Sequence, residues 1–325
     1  MKVLVLGGAG YIGSHICKAL AARGDTPIVF DNFSAGHRDS VRWGPLVEGD
    51  IGNAADLDTA FLEHAPDAVM HFAASIEVGI GEREPLAFWR NNVAGALSVL
   101  DRMAKHGCEV FVFSSTCAVY GQPEHLPITE AETRKPHNVY GRTKLAVEQA
   151  LEDISRSGKL RYATLRYFNA AGASPDAEIG ERHDPETHLI PNVLKAAAGL
   201  SDELQLFGDD YPTPDGSCVR DFIHVDDLAQ GHLSAVDRLL AGEDSFCCNL
   251  GTGHGTSVQQ VISAVERVTG LPVPRTVHPR REGDAAELYA DTSLSRELLG
   301  FSPSRSDIDT IVEDAWRFHK KDWGV

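Results

Sequence analysis

Residues 3–13 read Val3-Leu4-Val5-Leu6-Gly7-Gly8-Ala9-Gly10-Tyr11-Ile12-Gly13, and this stretch decides the fold. Four consecutive apolar residues predict a strand buried on both faces. The glycines then fit G-x-x-G-x-x-G through Gly7, Gly10 and Gly13, or G-x-G-x-x-G through Gly8, Gly10 and Gly13. Residues 12–23 continue with helical periodicity. A strand, a glycine turn and a helix N-terminus in that order suit a pyrophosphate. The turn lets backbone approach the anion, and the helix end presents free N–H groups and the positive end of its dipole.

The same rhythm extends outward. Residues 27–30, 46–48, 68–72, 110–114 and 162–167 read as further strands, and 88–105 and 140–155 as helices between them. Apolar strands separated by helices predict an α/β fold, a doubly wound parallel (Rossmann) sheet covered on both faces. After Phe168 the rhythm breaks. Gly, Pro, Asp and His dominate residues 170–191 and 208–216, which read as loops of the kind that carry binding sites. Residues 219–224 and 246–250 read as strands, and 257–269 and 307–319 as helices. The expected organisation is a dinucleotide-binding domain of residues 1–168 plus about 222–262. A smaller α/β substrate-binding domain takes about 169–221 plus 263–325.

The chain has 325 residues, 30 of them Lys or Arg against 47 Asp or Glu, a formal charge of −17. That balance disfavours binding of nucleic acid, which calls for clustered cations. It equally disfavours a polybasic membrane anchor. No apolar run approaches the ~20 residues of a membrane helix. The apolar N-terminus ends at Gly7, too early for a signal peptide. Cys17, Cys108, Cys117, Cys218, Cys247 and Cys248 form no C-x-x-C pair. They read as small buried residues of a protein in a reducing cytoplasm.

Asp31 closes the second strand, 18 residues past Gly13 (31 − 13 = 18). A carboxylate there holds a ribose 2′-hydroxyl and repels a 2′-phosphate, so NAD is expected over NADP, with Arg38 nearby as the one opposing feature. Asp50, after the third strand, is within reach of the adenine edge. Tyr140 and Lys144 stand at i and i+4, on one helical face. A free tyrosine is a poor base near neutrality. An adjacent ammonium and a positive nicotinamide are expected to lower its pKa and fit it for moving a hydroxyl proton. Ser114-Ser115-Thr116 ends an apolar strand, where ligand sites form in parallel sheets. Thr116 is placed to relay that proton.

Together these segments resemble the extended short-chain dehydrogenase/reductase family, and within it the UDP-sugar 4-epimerases. The resemblance spans residues 7–15, 31–32, 48–51, 71–74, 91–93, 113–121, 140–144, 165–172, 207–216, 220–225, 249–251 and 280–284. It implies that Tyr140 takes the proton of the sugar 4-hydroxyl, that hydride passes from C4 to tightly held NAD, and that the 4-keto sugar turns over before hydride returns. Lys144 would bind the nicotinamide ribose. By the same matching, Gly7, Gly10, Tyr11, Ile12, Gly13, Asp31, Asn32, Asp50, Ile51, Phe72, Ala73, Ala74, Asn91, Ser114 and Phe168 would line the NAD site with Tyr140 and Lys144. Asn169, His188, Leu189, Phe207, Arg220, Arg281, Asp284 and Leu288 would meet the UDP-sugar with Thr116 and Tyr140. The two arginines suit a diphosphate. A homodimer is implied through the helices at 88–105 and 140–155.

UDP-glucose/UDP-galactose is the expected pair. UDP-xylose/UDP-arabinose and UDP-N-acetylglucosamine are the alternatives. His188 replaces an asparagine of the best-known enteric form, Phe222 a tyrosine, and Leu288 a tyrosine beside the sugar 2-position, leaving more room there. Thr116 is followed by Cys117 and Ala118, not by the acid that related dehydratases and decarboxylases require. Cys117 itself reads as packing. A non-catalytic NAD-binding regulator is the remote alternative. No metal is expected: His183, Asp184, Glu186 and His188 lack a zinc-like spacing, as do His224, Asp226, Asp227 and His232.

Overall fold

The computed structural model describes residues 1–281 and 283–325. Glu282, inside the 280–284 segment, lies outside them. Seven parallel strands form one sheet in the order Phe246–Leu250, Arg161–Tyr167, Val110–Thr116, Ala68–His71, Lys2–Leu6, Thr26–Asp31, Leu46–Glu48. The first strand shows why both faces are covered. Val3 and Val5 enter a core with helices Tyr11–Ala22 and Val225–Leu240, while Leu4 and Leu6 enter a second core with Ala54–His64 and Ala96–His106. Side chains alternate faces along a strand, so an unbroken apolar run feeds two cores. Strand order reverses beside Lys2–Leu6, which opens a crevice at the carboxyl ends of the strands.

A third core is built from helices Leu189–Ala197, Val258–Thr269 and Ile308–Trp323, with the parallel pair Leu204–Phe207 and Arg275–His278 beside them. Helix Ser293–Leu299 returns to the first core through Leu294 and Leu299, followed by Phe301. Among the described residues no helix is long and apolar enough to cross a membrane.

Three local readings differ from the sequence expectation. The stretch 219–224 is not one strand. Val219–Arg220 pairs with Thr256–Ser257 and Glu287–Leu288, whereas Phe222–His224 pairs with Asn169–Ala171. Between them the buried Asp221 carboxylate accepts from the N–H groups of Thr252 (2.8 Å), Gly253 (3.2 Å) and Ala290 (3.2 Å), so the chain breaks around it. The helix read at 88–105 opens as a π-helix, Trp89–Gly95, before Ala96–His106 continues in α form. Asn92 within it is buried and tied to Ser75 and Thr143, as is common where wide helical turns serve a site. Helix Leu189–Ala197 also begins inside a region read as loop.

His71, His232 and His319 are buried, and burial holds them neutral, pushing them down to about 3, 4 and 4. Unfolded histidine titrates near ~6.5, so the unfolded chain takes up protons first as pH falls. Stability is therefore fully present above that range and is lost on going down through it. Urea unfolding is expected to show a falling free energy from pH 7 to 4.5, with a shallower fall in His232→Gln. A flat profile would contradict neutral burial of these rings.

Candidate active site

Two glycines shape the cradle at the crevice. Gly7 has φ +79°, and a Cβ there would stand 2.7 Å from the Ala73 nitrogen. A Cβ on Gly13 would stand 2.1 Å from the Gly7 carbonyl oxygen. Only glycine permits this close approach of strand, turn and helix. Helix Tyr11–Ala22 starts at Gly10 with no side chain capping it, so its first N–H groups remain for an anion. The cradle fits a dinucleotide pyrophosphate. Phe72, its ring tilted against that of His232 with centres 5.0 Å apart, and Ala73, whose N–H donates to the Leu6 carbonyl (3.0 Å), form its far wall. Ile51 packs where a Cβ on Gly95 would meet its Cδ1 at 2.7 Å.

Asp31 is buried at the edge of this cradle. It accepts from Ala9 N–H (2.9 Å) and Phe33 N–H (2.8 Å), and burial raises its pKa. A carboxylate has about four lone-pair sites, so acceptor capacity remains for ribose hydroxyls. Arg38 is committed elsewhere: it pairs with Glu48 (2.7 Å) and lies 4.1 Å over the Phe33 ring. Asn32 donates to Asp50 (2.8 Å), joining two predicted adenosine-side residues. Asp31→Ala is expected to weaken NAD at least tenfold and NADP much less, by titration of stripped protein. Equal loss for both would assign Asp31 to holding the loop alone.

The reacting groups come from two elements that converge. Strand Val110–Thr116 delivers Ser114, Ser115 and Thr116, all buried, to the crevice. Helix Val139–Ser155 begins at Asn138, whose side chain accepts from Gly141 N–H (2.7 Å). A Cβ on Gly141 would meet the Ala118 carbonyl at 2.7 Å, so glycine lets the helix start press against the turn after Thr116. That contact brings Tyr140 beside Thr116. One turn on, Lys144 Nζ donates to the Ser114 carbonyl (2.7 Å) and lies 5.8 Å from the Tyr140 ring centre.

The protonation states differ from the sequence expectation. Burial pushes the Tyr140 phenol up rather than down, with Tyr167 and Cys117 adding to it and the Thr116 hydroxyl opposing. Burial pushes Lys144 down to about 7, with Glu148 opposing. In the protein alone, desolvation dominates both shifts. A further positive charge in the crevice is needed to reverse that balance, and an oxidised nicotinamide has one. Cys117 is held as the thiol, pushed up to about 12, and packs beside Val119 and Phe168.

Behind these groups lies a network that sequence reasoning missed. Glu148 accepts from Ser115 Oγ (2.5 Å) and from Arg166 Nε and NH2 (3.0 and 2.7 Å). Arg166 donates to Tyr120, whose hydroxyl donates to Asn249 (2.9 and 2.7 Å). The available signal was spacing: Tyr140, Lys144 and Glu148 follow one another at intervals of four. Asn91 donates to Ser75 Oγ (3.2 Å), and the neighbouring Asn92 ties the 72–75 loop to the catalytic helix.

On the other side, Arg220 approaches Asp284 (3.8 Å) and pairs in register with Leu288. Its charge acts on Cys117, placing it near the Thr116 turn. The Arg281 guanidinium lies 4.0 Å over the Phe207 ring. Phe168 is buried, and the Asn169 N–H donates to the Asp221 carbonyl (3.0 Å). His188 and Leu189 belong to a separate loop and helix start, where His188 sits between Glu186 and Glu181. Phe222 is buried in the third core, so its missing hydroxyl is a packing matter.

Residues 3–251 match the family described as NAD dependent epimerase/dehydratase. The chain belongs to that family. This NAD dependent epimerase/dehydratase is 51% identical over 319 residues to the UDP-glucose 4-epimerase of Rhizobium leguminosarum bv. trifolii, covering 98% of this chain and 97% of the relative. Its fold superposes on the crystal structure of the Brucella ovis UDP-glucose 4-epimerase in complex with NAD, with a TM-score of 0.96, 51% identity and 98% of each chain covered. It is also similar to the Stenotrophomonas maltophila UDP-glucose-4-epimerase structure with bound NAD and formylated UDP-arabinopyranose: TM-score 0.97, 41% identity, 100% and 99% covered.

Proposed function

We propose that this chain interconverts the C4 epimers of a UDP-sugar, UDP-glucose and UDP-galactose first, with resident NAD. The observation that carries the reading is the convergence of Thr116, Tyr140 and Lys144 at the carboxyl edge of the sheet, beside the glycine cradle. Bound NAD supplies an acceptor and donor of hydride. The chain's own residues do the rest. Lys144, 5.8 Å from the Tyr140 ring centre, stabilises the phenolate. Tyr140 accepts the 4-hydroxyl proton directly or through Thr116, and returns it after the keto sugar has presented its other face. Burial of the cluster excludes water, which keeps the ketone from side reactions. Arg220 and Arg281 hold the diphosphate, and Asp284 accepts from ribose hydroxyls.

Proton NMR of the purified protein, without added NAD, incubated separately with UDP-galactose, UDP-N-acetylgalactosamine and UDP-arabinose tests this reading. Conversion to the C4 epimer, fastest for UDP-galactose, is the expected result. No conversion of any sugar even with NAD added would overturn it, and a faster pentose or N-acetyl substrate would reassign the sugar.

The homodimer proposed with it would use the helices spanning 85–106 and 139–155. Leu86, Trp89 and Leu97 there are 60, 39 and 42% exposed, a large apolar outlay for a free surface. Leu97→Glu is expected to shift the mass in analytical ultracentrifugation from dimer to monomer. The free thiols fit a cytoplasmic enzyme.

A further inference from the structure

Four side chains of the 181–188 segment converge in a way the sequence spacing did not suggest. The sequence grouped His183, Asp184, Glu186 and His188. The fold replaces Asp184 with Glu181, and one donor atom from each of Glu181, His183, Glu186 and His188 lies within 4.8 Å of the others. The Nδ1 of His188 is 2.9 Å from Glu186 Oε1 and 3.0 Å from Glu181 Oε1. The Nδ1 of His183 is 3.5 Å from Glu181 Oε1 and 3.8 Å from Glu186 Oε2. Neighbouring ligands around a tetrahedral ion with arms of ~2.1 Å stand about 3.4 Å apart, so a cluster of this span is of the right size for one ion.

Hydrogen bonding accounts for part of the cluster. The Glu181 and Glu186 side chains are 4 and 3% exposed, so both carboxylates need compensation. Glu186 has some: it accepts from the N–H groups of Thr187 (2.9 Å) and His188 (2.8 Å). Glu181 lies against both imidazoles and beside Glu186. A ring nitrogen carries at most one proton, and His188 Nδ1 stands between Glu186 and Glu181. Among the described residues His183 Nδ1 is buried without a hydrogen-bond partner. A cation at their centre would lie within reach of all four donor atoms together.

The loop is also held in place. Arg182 pairs with Asp39 through two contacts (3.0 and 2.6 Å), and its carbonyl meets His37 Nε2 (3.3 Å). His188 occupies the N-cap position of helix Leu189–Ala197, with its side chain not used in capping. A pre-positioned His2Glu2 set of borderline nitrogen and hard oxygen donors suits Zn2+, with Co2+ as a spectroscopic substitute. We propose that Glu181, His183, Glu186 and His188 form a binding site for a divalent transition-metal ion, which ties the 181–188 loop to the start of helix Leu189–Ala197.

The test uses tag-free full-length protein, treated with chelator and then titrated with Co2+. The expected result is a visible ligand-field band of tetrahedral intensity that saturates at one Co2+ per chain and is displaced by Zn2+. Glu181→Gln and His183→Gln should each abolish the saturable band while keeping the wild-type circular dichroism. Absence of the band in wild-type protein, or its retention in both folded variants, would overturn the proposal. None of these readouts depends on which sugar is turned over.

Discussion

Tyr140→Phe is expected to retain bound NAD and to lose about a hundredfold to ten-thousandfold of kcat, the range that positioned acid–base groups contribute. In the proposed mechanism the phenol hydroxyl has one chemical task, proton transfer, which phenylalanine removes while keeping the ring. Lys144 keeps its bond to the Ser114 carbonyl in the variant, so the cofactor pocket stays formed. The KM for the UDP-sugar should move little, because the residues proposed to hold the diphosphate, Arg220 and Arg281, lie on a different segment. NAD content by heat release, with kcat from a coupled assay, reads both quantities. A variant turning over at near the wild-type rate would remove Tyr140 as the base. One that lost NAD as well would make its role structural.

Gly13→Ala should cost more than the exchange of one hydrogen for a methyl suggests. The new Cβ would lie 2.1 Å from the Gly7 oxygen and 2.9 Å from the Gly7 carbonyl carbon and the Gly8 Cα, all backbone. No flexible side chain is available to move aside, so the turn must open. Overpacking typically costs about 1–3 kcal/mol. Opening also withdraws the N–H groups from the pyrophosphate, so NAD retention should collapse together with activity. Gly10→Ala is the control for stability: its Cβ would meet only the Gly7 oxygen, at 3.3 Å. Differential scanning calorimetry should rank Gly13→Ala several degrees below Gly10→Ala, both below wild type. Equal melting temperatures, with NAD retained in both, would mean that the turn is not the tight cradle described.

The parallel sheet was legible because its strands are apolar throughout and its turn carries the glycines that geometry demands. Tyr140, Lys144 and Thr116 were legible for a related reason: each sits at a position fixed by regular structure, one helical turn apart or at a strand end. What escaped was set by tertiary contacts. The break at Asp221 depends on N–H groups 31 to 69 residues away. The π-turn at Trp89–Gly95 depends on Asn92 reaching Ser75 and Thr143. The raised phenol and lowered ammonium depend on burial, which residue type and spacing do not reveal. Glu181 joins the two histidines and Glu186 only because the loop folds back, whereas linear spacing had pointed to Asp184.

The central claim is that hydrogen leaves C4 as hydride and returns to the same carbon without meeting solvent, while Tyr140 handles only the hydroxyl proton. UDP-galactose carrying deuterium at C4, turned over by the purified protein in ordinary water and followed by NMR, tests this most directly. UDP-glucose with the deuterium still at C4 and no protium there from solvent is the expected product. Loss of the label to water during epimerisation would contradict it.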